Sequence, residues 1–274
     1  MLSLLKVEWL KIKKYPAFWW MLGMVALTYP GINYLFYKVF LEFTQRKDMT
    51  GAMAKTLLGN PFSFPETWHS VAYFSSLFIV IPAVLVIMLI TNEYQFKTHR
   101  QNIIDGWSKQ QFVWSKMLDV AIVTLVIVGM YLITAAAFGT WVKPAIANES
   151  TWKDEIKYIP LFMLQTFSQL SFAFFIGMLV RKAFIALGIF IFYYAILENI
   201  ALGIFKWYKL QNVSRFLPLE ISDKLIPNPK FLGKIDAKGY ELQLAAIQPH
   251  IFYTILFTAF IWLTCFFMFR KRDL

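Results

Sequence analysis

The sequence predicts an all-α integral membrane protein with six transmembrane helices and cytoplasmic N- and C-termini. The first observation is composition: 58% of the 274 residues are hydrophobic and only 16% are charged, whereas a soluble domain has about 25% charged residues. The second is that the apolar residues form long blocks, with nearly all the charge between them. Six blocks reach the ~20 residues that cross a ~30 Å hydrocarbon core. Because lipid offers no hydrogen-bond partners, these blocks must be helices.

The six blocks belong to one transmembrane domain covering residues 1–274. The predicted spans lie near residues 17–40, 70–91, 118–142, 158–180, 184–205 and 251–269. Residues 1–16 are predicted to form an amphipathic interfacial helix, and the block that follows is too long for a cleaved signal peptide. Pro30 and Pro82 lie within spans and predict kinks. Lys and Arg are denser in the termini and in the connections after spans two and four, which are therefore predicted to be cytoplasmic.

The sequence contains no motif that predicts chemistry of its own. A phosphate loop, an H-E-x-x-H motif and a G-x-S-x-G motif are absent from the sequence, so we expect no bound cofactor and no enzyme activity. The three histidines are too dispersed to predict a metal site, and the single cysteine, Cys265, excludes an intramolecular disulfide. The net charge of +11 is scattered among the spans, which favours contact with anionic lipid over nucleic acid.

The connection between spans two and three, residues 92–117, has its own structural signals. Its start mixes charged and aromatic residues, and residues 101–106 form a short amphipathic stretch that closes at Gly106. Ser108 and Gln111 then have the spacing of a capping box, which opens a helix. The pattern predicts a short surface helix, a break at Gly106 and a new helix. It fits either an element that transmits motion or an interfacial helix that only anchors the chain to lipid.

Together with the basic start (residues 4–11) and the basic end (residues 269–274), this loop resembles the ATP-binding-cassette (ABC) type-2 transporter permeases. In that family a Glu follows the second span, an Arg precedes an apolar turn, and a Ser–Lys turn and a lysine precede the third span. The matching positions in this sequence are Glu93, Arg100, Ile103, Ile104, Gly106, Ser108, Lys109 and Lys116, with Asp105 interrupting the apolar turn. Asn102 also departs from the family pattern, and Trp107 and Trp114 are bulkier than is usual there.

The resemblance implies the permease subunit of an ABC exporter in a bacterial cytoplasmic (inner) membrane. A separate ABC ATPase subunit would bind the ATP and drive the permease through the cytoplasmic coupling-helix hairpin, residues 92–117, with no catalytic residue in this chain. The implied partners are that ATPase, a second permease chain in a homodimer or heterodimer, and membrane lipid. The extracytoplasmic loop 206–250 is expected either to fold over the exit of the pathway or to serve as a structured connector. Residues 240–247 in it are predicted to form one short helix.

Glu198 and Asn199 lie inside the fifth predicted span. A carboxylate there costs about 2.5–3.5 kcal/mol on insertion scales and normally faces protein or water. Glu198 is therefore a candidate for the translocation pathway or a subunit interface, and a structural carboxylate is an equal alternative. Asp119 is interpreted as reaching water at the inner end of the third span. A polar stripe in the fourth span favours helix–helix packing, and its members are Gln165, Ser168, Gln169 and Ser171.

Three other classes of function remain open from the residues themselves. An ATPase-independent secondary transporter or channel would use Glu198 as its ion- or proton-linked group. A non-transport membrane scaffold or immunity subunit would need none of these residues. An intramembrane enzyme is the weakest alternative, because Glu198 has no evident catalytic partner at its depth.

Overall fold

The computed structural model describes residues 2–45, 60–104, 106–142, 152–233 and 236–271, with the side chains of residues 2–7 and of Gln211 excepted. Every regular element in these ranges is a helix. The α-helices are α1 (Leu2–Lys14), α2 (Pro16–Thr44), α3 (Thr67–Ser76), α4 (Val80–Gln95), α5 (Thr98–Ile104), α6 (Lys109–Trp141), α7 (Tyr158–Val180), α8 (Ala183–Phe192), α9 (Glu198–Trp207), α10 (Gln211–Ser214), α11 (Glu220–Asp223), α12 (Lys230–Gly233) and α13 (Ala237–Lys271). One π-helical turn, Tyr193–Leu197, joins α8 to α9.

Several of these helices are long and apolar enough to cross a membrane. Four qualify alone: α6, α7, α13 and the continuous helix Ala183–Trp207. The helices α3 and α4 qualify as one broken span, bent by 52°. Helix α2 has 29 residues but is not among these candidates, because its Trp and Tyr residues together with Pro30 and Asn33 lower its mean hydropathy. The predicted all-α class with several membrane-compatible helices is therefore confirmed in the described residues.

Helix α7 occupies the centre of the bundle. It packs against α3, α4, α6, α8, α11 and α13. Gly177 permits the close approach of α4, since a methyl group there would come within 2.6 Å of Ile90 Cγ2. The polar stripe of α7 is buried, and Ser171 Oγ accepts a hydrogen bond from Trp262 Nε1 of α13 at 3.0 Å. This contact fits the packing role predicted for the stripe.

Two proline-related expectations have different outcomes. The kink predicted for the second span is present: the span bends by 52° at residues 77–79. Pro82 lies four positions after Phe78 and cannot donate to its carbonyl oxygen, which accepts from Ile81 N instead.

Residues 240–247 are helical, as predicted, but they do not form one short helix, because α13 begins at Ala237 and runs unbroken through Pro249. One lost backbone hydrogen bond does not end a 35-residue helix when its remaining bonds persist on both sides. The side chain of His250 also contacts the Ala246 carbonyl oxygen through Nδ1 at 2.7 Å.

The bundle has two chemically different ends. At one, which we call the hairpin end, α1, α5, the first turn of α6 and the last turn of α13 lie together. There the ring of Phe112 stacks on Phe269 at 4.6 Å. At the other, the loop end, α11 packs against α7 and α13, α12 against α13, and α10 against α9. Helix α1 and the last turn of α13 are thus at the same end of the bundle.

Candidate functional site at the hairpin end

A buried lysine at the hairpin end contacts three carboxylates. Lys116 Nζ lies 2.6 Å from Glu93 Oε1, 2.7 Å from Glu8 Oε2 and 2.8 Å from Asp119 Oδ2. A second cation, Lys11, lies 3.1 Å from Glu8 and 3.5 Å from Glu93. None of the three acids nor Lys116 is more than 8% exposed. We call these five residues the ionic cluster.

Three helices supply the ionic cluster. Glu8 and Lys11 are one turn apart on α1, and Lys116 and Asp119 are one turn apart on α6, so each pair lies on one helix face. Glu93 lies in the last turn of α4. The cluster therefore connects the N-terminal helix to both helices that flank the residue 92–117 connection.

In the ionic cluster, the attraction between opposite charges opposes the cost of burying them. Removing ions from water costs several kcal/mol each, and pairing offsets this cost only when the geometry is good. Burial alone would raise the pKa of Glu8, but the charges of Lys116 and Lys11 outweigh burial and lower this pKa below its usual value. Glu93 Oε2 and Asp119 Oδ1 are buried without a hydrogen-bond donor. A displacement of Lys116 would leave still more carboxylate oxygens unpaired.

The connection from α4 to α6 is a compact hairpin. The Glu93 carbonyl oxygen contacts His99 Nδ1 at 2.9 Å, which fixes α5 to the end of α4. Gly106 has a φ of 96°, which side chains rarely allow, and it forms the break between α5 and α6. Gln111 N donates to Ser108 Oγ at 3.1 Å, and Ser108 N donates to Gln111 Oε1 at 2.8 Å. The predicted helix, break and capped helix are therefore confirmed.

We expect the substitution Ser108→Ala to lower the free energy of unfolding by about 1 kcal/mol, because the first turn of α6 loses its side-chain cap. Denaturant unfolding of the purified chain in detergent measures this change. Gln110→Ala is the matched control, since Gln110 is an exposed residue in the same turn and takes no part in the capping box. An equal loss in both variants would contradict a capping role for Ser108.

The other predicted coupling residues lie in the hairpin but outside the ionic cluster. Arg100 is exposed, and Ile104 is 84% exposed. Lys109 Nζ donates to the Arg270 carbonyl oxygen at 3.3 Å, which links the start of α6 to the end of α13. Asp105 lies outside the described residues.

The structure brings together two predicted residues, Glu93 and Lys116, and adds three that the sequence analysis did not select. The interpretation of Asp119 as a water-exposed carboxylate is wrong: it is 6% exposed and paired with Lys116. The sequence did contain one indication of the cluster: Glu8 and Lys11 are three residues apart, as are Lys116 and Asp119, and this spacing places each pair on one helix face. Nothing in that spacing indicates that both pairs meet at Glu93.

Glu198 and Asn199 lie near the loop end and have different environments. Glu198 is 4% exposed, and Oε1 accepts hydrogen bonds from Leu219 N at 3.0 Å and Glu220 N at 2.6 Å. Asn199 is exposed, and its amide donates to the Ala195 carbonyl oxygen at 3.0 Å. The contacts of Glu198 favour the structural interpretation, because its carboxylate holds the backbone that enters α11.

These features define a helical bundle with several helices apolar enough to cross a membrane and with the ionic cluster between α1, α4 and α6. The chain matches a family model described as "Protein of unknown function (DUF2705)" over residues 62–274, and it belongs to that family. The matched region contains Glu93, Lys116 and Asp119, whereas Glu8 and Lys11 precede it. No curated protein matches the chain, and no solved structure does.

Proposed function

We propose that this chain is the permease subunit of an ABC transporter, an exporter in a bacterial cytoplasmic membrane driven by a separate ATPase. In this proposal α2 is the sixth span and the hairpin end faces the cytoplasm. The ionic cluster carries the proposal, because it connects the hairpin directly to the helices that would move. The co-location of α1 and the last turn of α13 at the hairpin end also supports it.

The hairpin has the properties of an element that transmits force. Helix α6 begins with a side-chain cap inside the hairpin and continues for 33 residues into the bundle. A push on the hairpin would therefore displace α6 as a rigid unit. The contacts of Lys116 with Glu93 and Glu8 would carry that displacement to α4 and α1.

The same proposal assigns the partners. The ATPase binds the ATP and contacts the hairpin, and a second permease chain, identical or different, completes the pathway. The continuous helix Ala183–Trp207 lies at the periphery, because only 17% of its most apolar 18-residue stretch is buried. Its apolar surface therefore faces lipid or that second chain. Nucleic acid has no part in the proposal.

Co-purification combined with ATP hydrolysis tests the proposal. A tagged chain, extracted from its native membrane in mild detergent, is expected to carry a nucleotide-hydrolysing subunit, identified by mass spectrometry. The complex is expected to hydrolyse ATP faster than that subunit alone. A chain that moves cargo in liposomes without nucleotide, and associates with no such subunit, would contradict the proposal.

Within the same complex we expect Gly106→Pro to reduce the stimulation of ATP hydrolysis by about 10-fold or more. A displacement of the hairpin by about 1 Å is enough for a rate loss of this size. Proline fixes φ near −65° and cannot adopt the positive φ of Gly106. Gly106→Asn is the matched control, because asparagine tolerates positive φ best after glycine. Full stimulation in the proline variant would remove the hairpin from the coupling route.

A further inference from the structure

A polar cavity of about 350 Å³ opens at the loop end. It is formed by α3, α7, α11, α13 and the π-helical turn. Its lining includes Tyr73, Gln165, Tyr194, Asp223, Asn228 and Gln243. This volume is within the range of pockets that bind small molecules. The cavity is at the opposite end of the bundle from the ionic cluster.

Two amides fix one oxygen of a carboxylate in this cavity. Asp223 Oδ1 accepts hydrogen bonds from Gln165 Nε2 at 2.9 Å and from Gln169 Nε2 at 2.7 Å. Asp223 is an exposed residue, because the cavity opens to solvent beside it. The arrangement leaves the second oxygen, Oδ2, for a ligand.

A buried glutamine positions this carboxylate. Gln165 is 1% exposed, and its Oε1 has no hydrogen-bond partner. The amide orientation is determined by Asp223, because turning the amide over would place Oε1 against the carboxylate. Gln165 lines the cavity, but less than 1 Å² of its Oε1 is open to solvent, so its amide positions Asp223 from behind the cavity wall.

The charge of the cavity is negative. Lys224 Nζ pairs with Glu220 Oε1 at 2.6 Å, which offsets the charge of Glu220 and leaves that of Asp223. The rings of Tyr73 and Tyr194 form part of the wall, and aromatic faces attract cations. The site thus presents acceptors and a negative charge, which select a ligand that donates hydrogen bonds and is positively charged.

We propose that this cavity binds a small organic ammonium group, with Asp223 Oδ2 as its hydrogen-bond acceptor and Gln165 as the residue that positions Asp223. A free primary amine and the headgroup of an aminophospholipid share this chemistry. The inference rests only on the loop end and does not depend on transport driven by ATP. It therefore stands or falls separately from the proposed function.

Binding is expected to depend on pH. Although the carboxylate of Asp223 is exposed to the cavity, desolvation by the surrounding protein raises its pKa to about 7, with Glu220 and Glu198 adding to the rise and the Gln165 and Gln169 amides opposing it. The titratable groups that face Asp223 from neighbouring elements are Tyr73, Tyr194, Glu198, Glu220 and Lys224. Since an ammonium ion binds the ionised carboxylate, affinity is expected to increase from pH 6 to pH 8.

The test measures ethanolamine binding to the full chain in nanodiscs of phosphatidylcholine and phosphatidylglycerol by calorimetry. Ethylene glycol is the neutral control ligand. Asp223→Asn, which retains an acceptor for both glutamine amides, is expected to weaken binding by about 10-fold or more, as for a lost charge-assisted hydrogen bond. Gln165→Met is expected to weaken it several-fold, and Glu241→Gln, at an exposed position of α13, is expected to have no effect.

A second set of nanodiscs containing phosphatidylethanolamine distinguishes the two sources of the ligand. Weaker ethanolamine binding in these nanodiscs would identify the lipid headgroup as the natural occupant. Equal binding in both sets would identify a free amine. The proposal is overturned if ethanolamine does not bind at millimolar concentration without phosphatidylethanolamine, if ethylene glycol binds as well, or if Asp223→Asn binds as tightly as the unaltered chain.

Discussion

Replacing Lys116 with methionine is expected to destabilise the folded chain by about 3–5 kcal/mol, the loss typical of breaking a buried ion pair at one partner. Methionine has a similar length but no charge. The variant therefore leaves Glu8, Glu93 and Asp119 buried, with Lys11 as the remaining cation of the ionic cluster. Thermal or denaturant unfolding in detergent measures the loss. Stimulation of an associated ATPase is expected to fall with it.

Two comparisons separate the loss of pairing from the loss of a lysine. Lys206→Met changes an exposed lysine near the loop end and is expected to have little effect. Combining Lys116→Met with Glu8→Gln and Glu93→Gln removes two of the unpaired charges and is expected to recover part of the stability. A Lys116→Met variant as stable as the unaltered chain would show that the cluster does not hold α1, α4 and α6 together.

The second large effect is expected for Glu198→Ala. This variant leaves the N–H groups of Leu219 and Glu220 without the carboxylate that accepts from them. We expect a loss of about 2–4 kcal/mol, since a buried unsatisfied group costs about 1–3 kcal/mol. Glu198→Gln keeps an acceptor oxygen and is expected to lose less. Unfolding measurements on both variants test this order.

The same variants bear on a secondary transporter or channel that uses Glu198 as its ion-linked group. Such a mechanism predicts that Glu198→Gln folds normally but abolishes transport, because glutamine cannot carry a proton or pair with an ion. A structural role predicts that transport follows stability in both variants. Transport lost at full stability would contradict the structural interpretation of Glu198.

Local hydropathy predicted the limits of a span correctly where polar residues flank it on both sides. The prediction of residues 158–180 matches α7, because charged residues flank that block on both sides. Helix α6 starts at Lys109, nine residues before the predicted third span, because the capped hairpin helix continues into the membrane block. Hydropathy did not indicate the bend between α3 and α4, and residues 77–79 contain no glycine or proline. Pro82, four positions after residue 78, was the feature that predicted a kink in this span.

The candidate site was only partly predictable for a different reason. Glu93 and Lys116 were recognised through the family resemblance, whereas Glu8 joins them through a contact across 108 residues of chain. Asp223 likewise meets Gln165 across 58 residues. Periodicity reports which face a residue occupies on its own helix and not which distant residue it meets. Such contacts require the packed bundle.

Photocrosslinking from Gln110 tests the central claim, that a separate ATPase acts on the hairpin, most directly. Gln110 is an exposed residue beside the cap of α6, and a photoreactive residue there is expected to form an adduct with an ABC ATPase in native membranes. The amount of adduct is expected to change when ATP is added, and the same probe at Glu241, towards the loop end, is expected to form none. If no nucleotide-hydrolysing protein is crosslinked at Gln110, the account of this chain as an ATP-driven permease is contradicted.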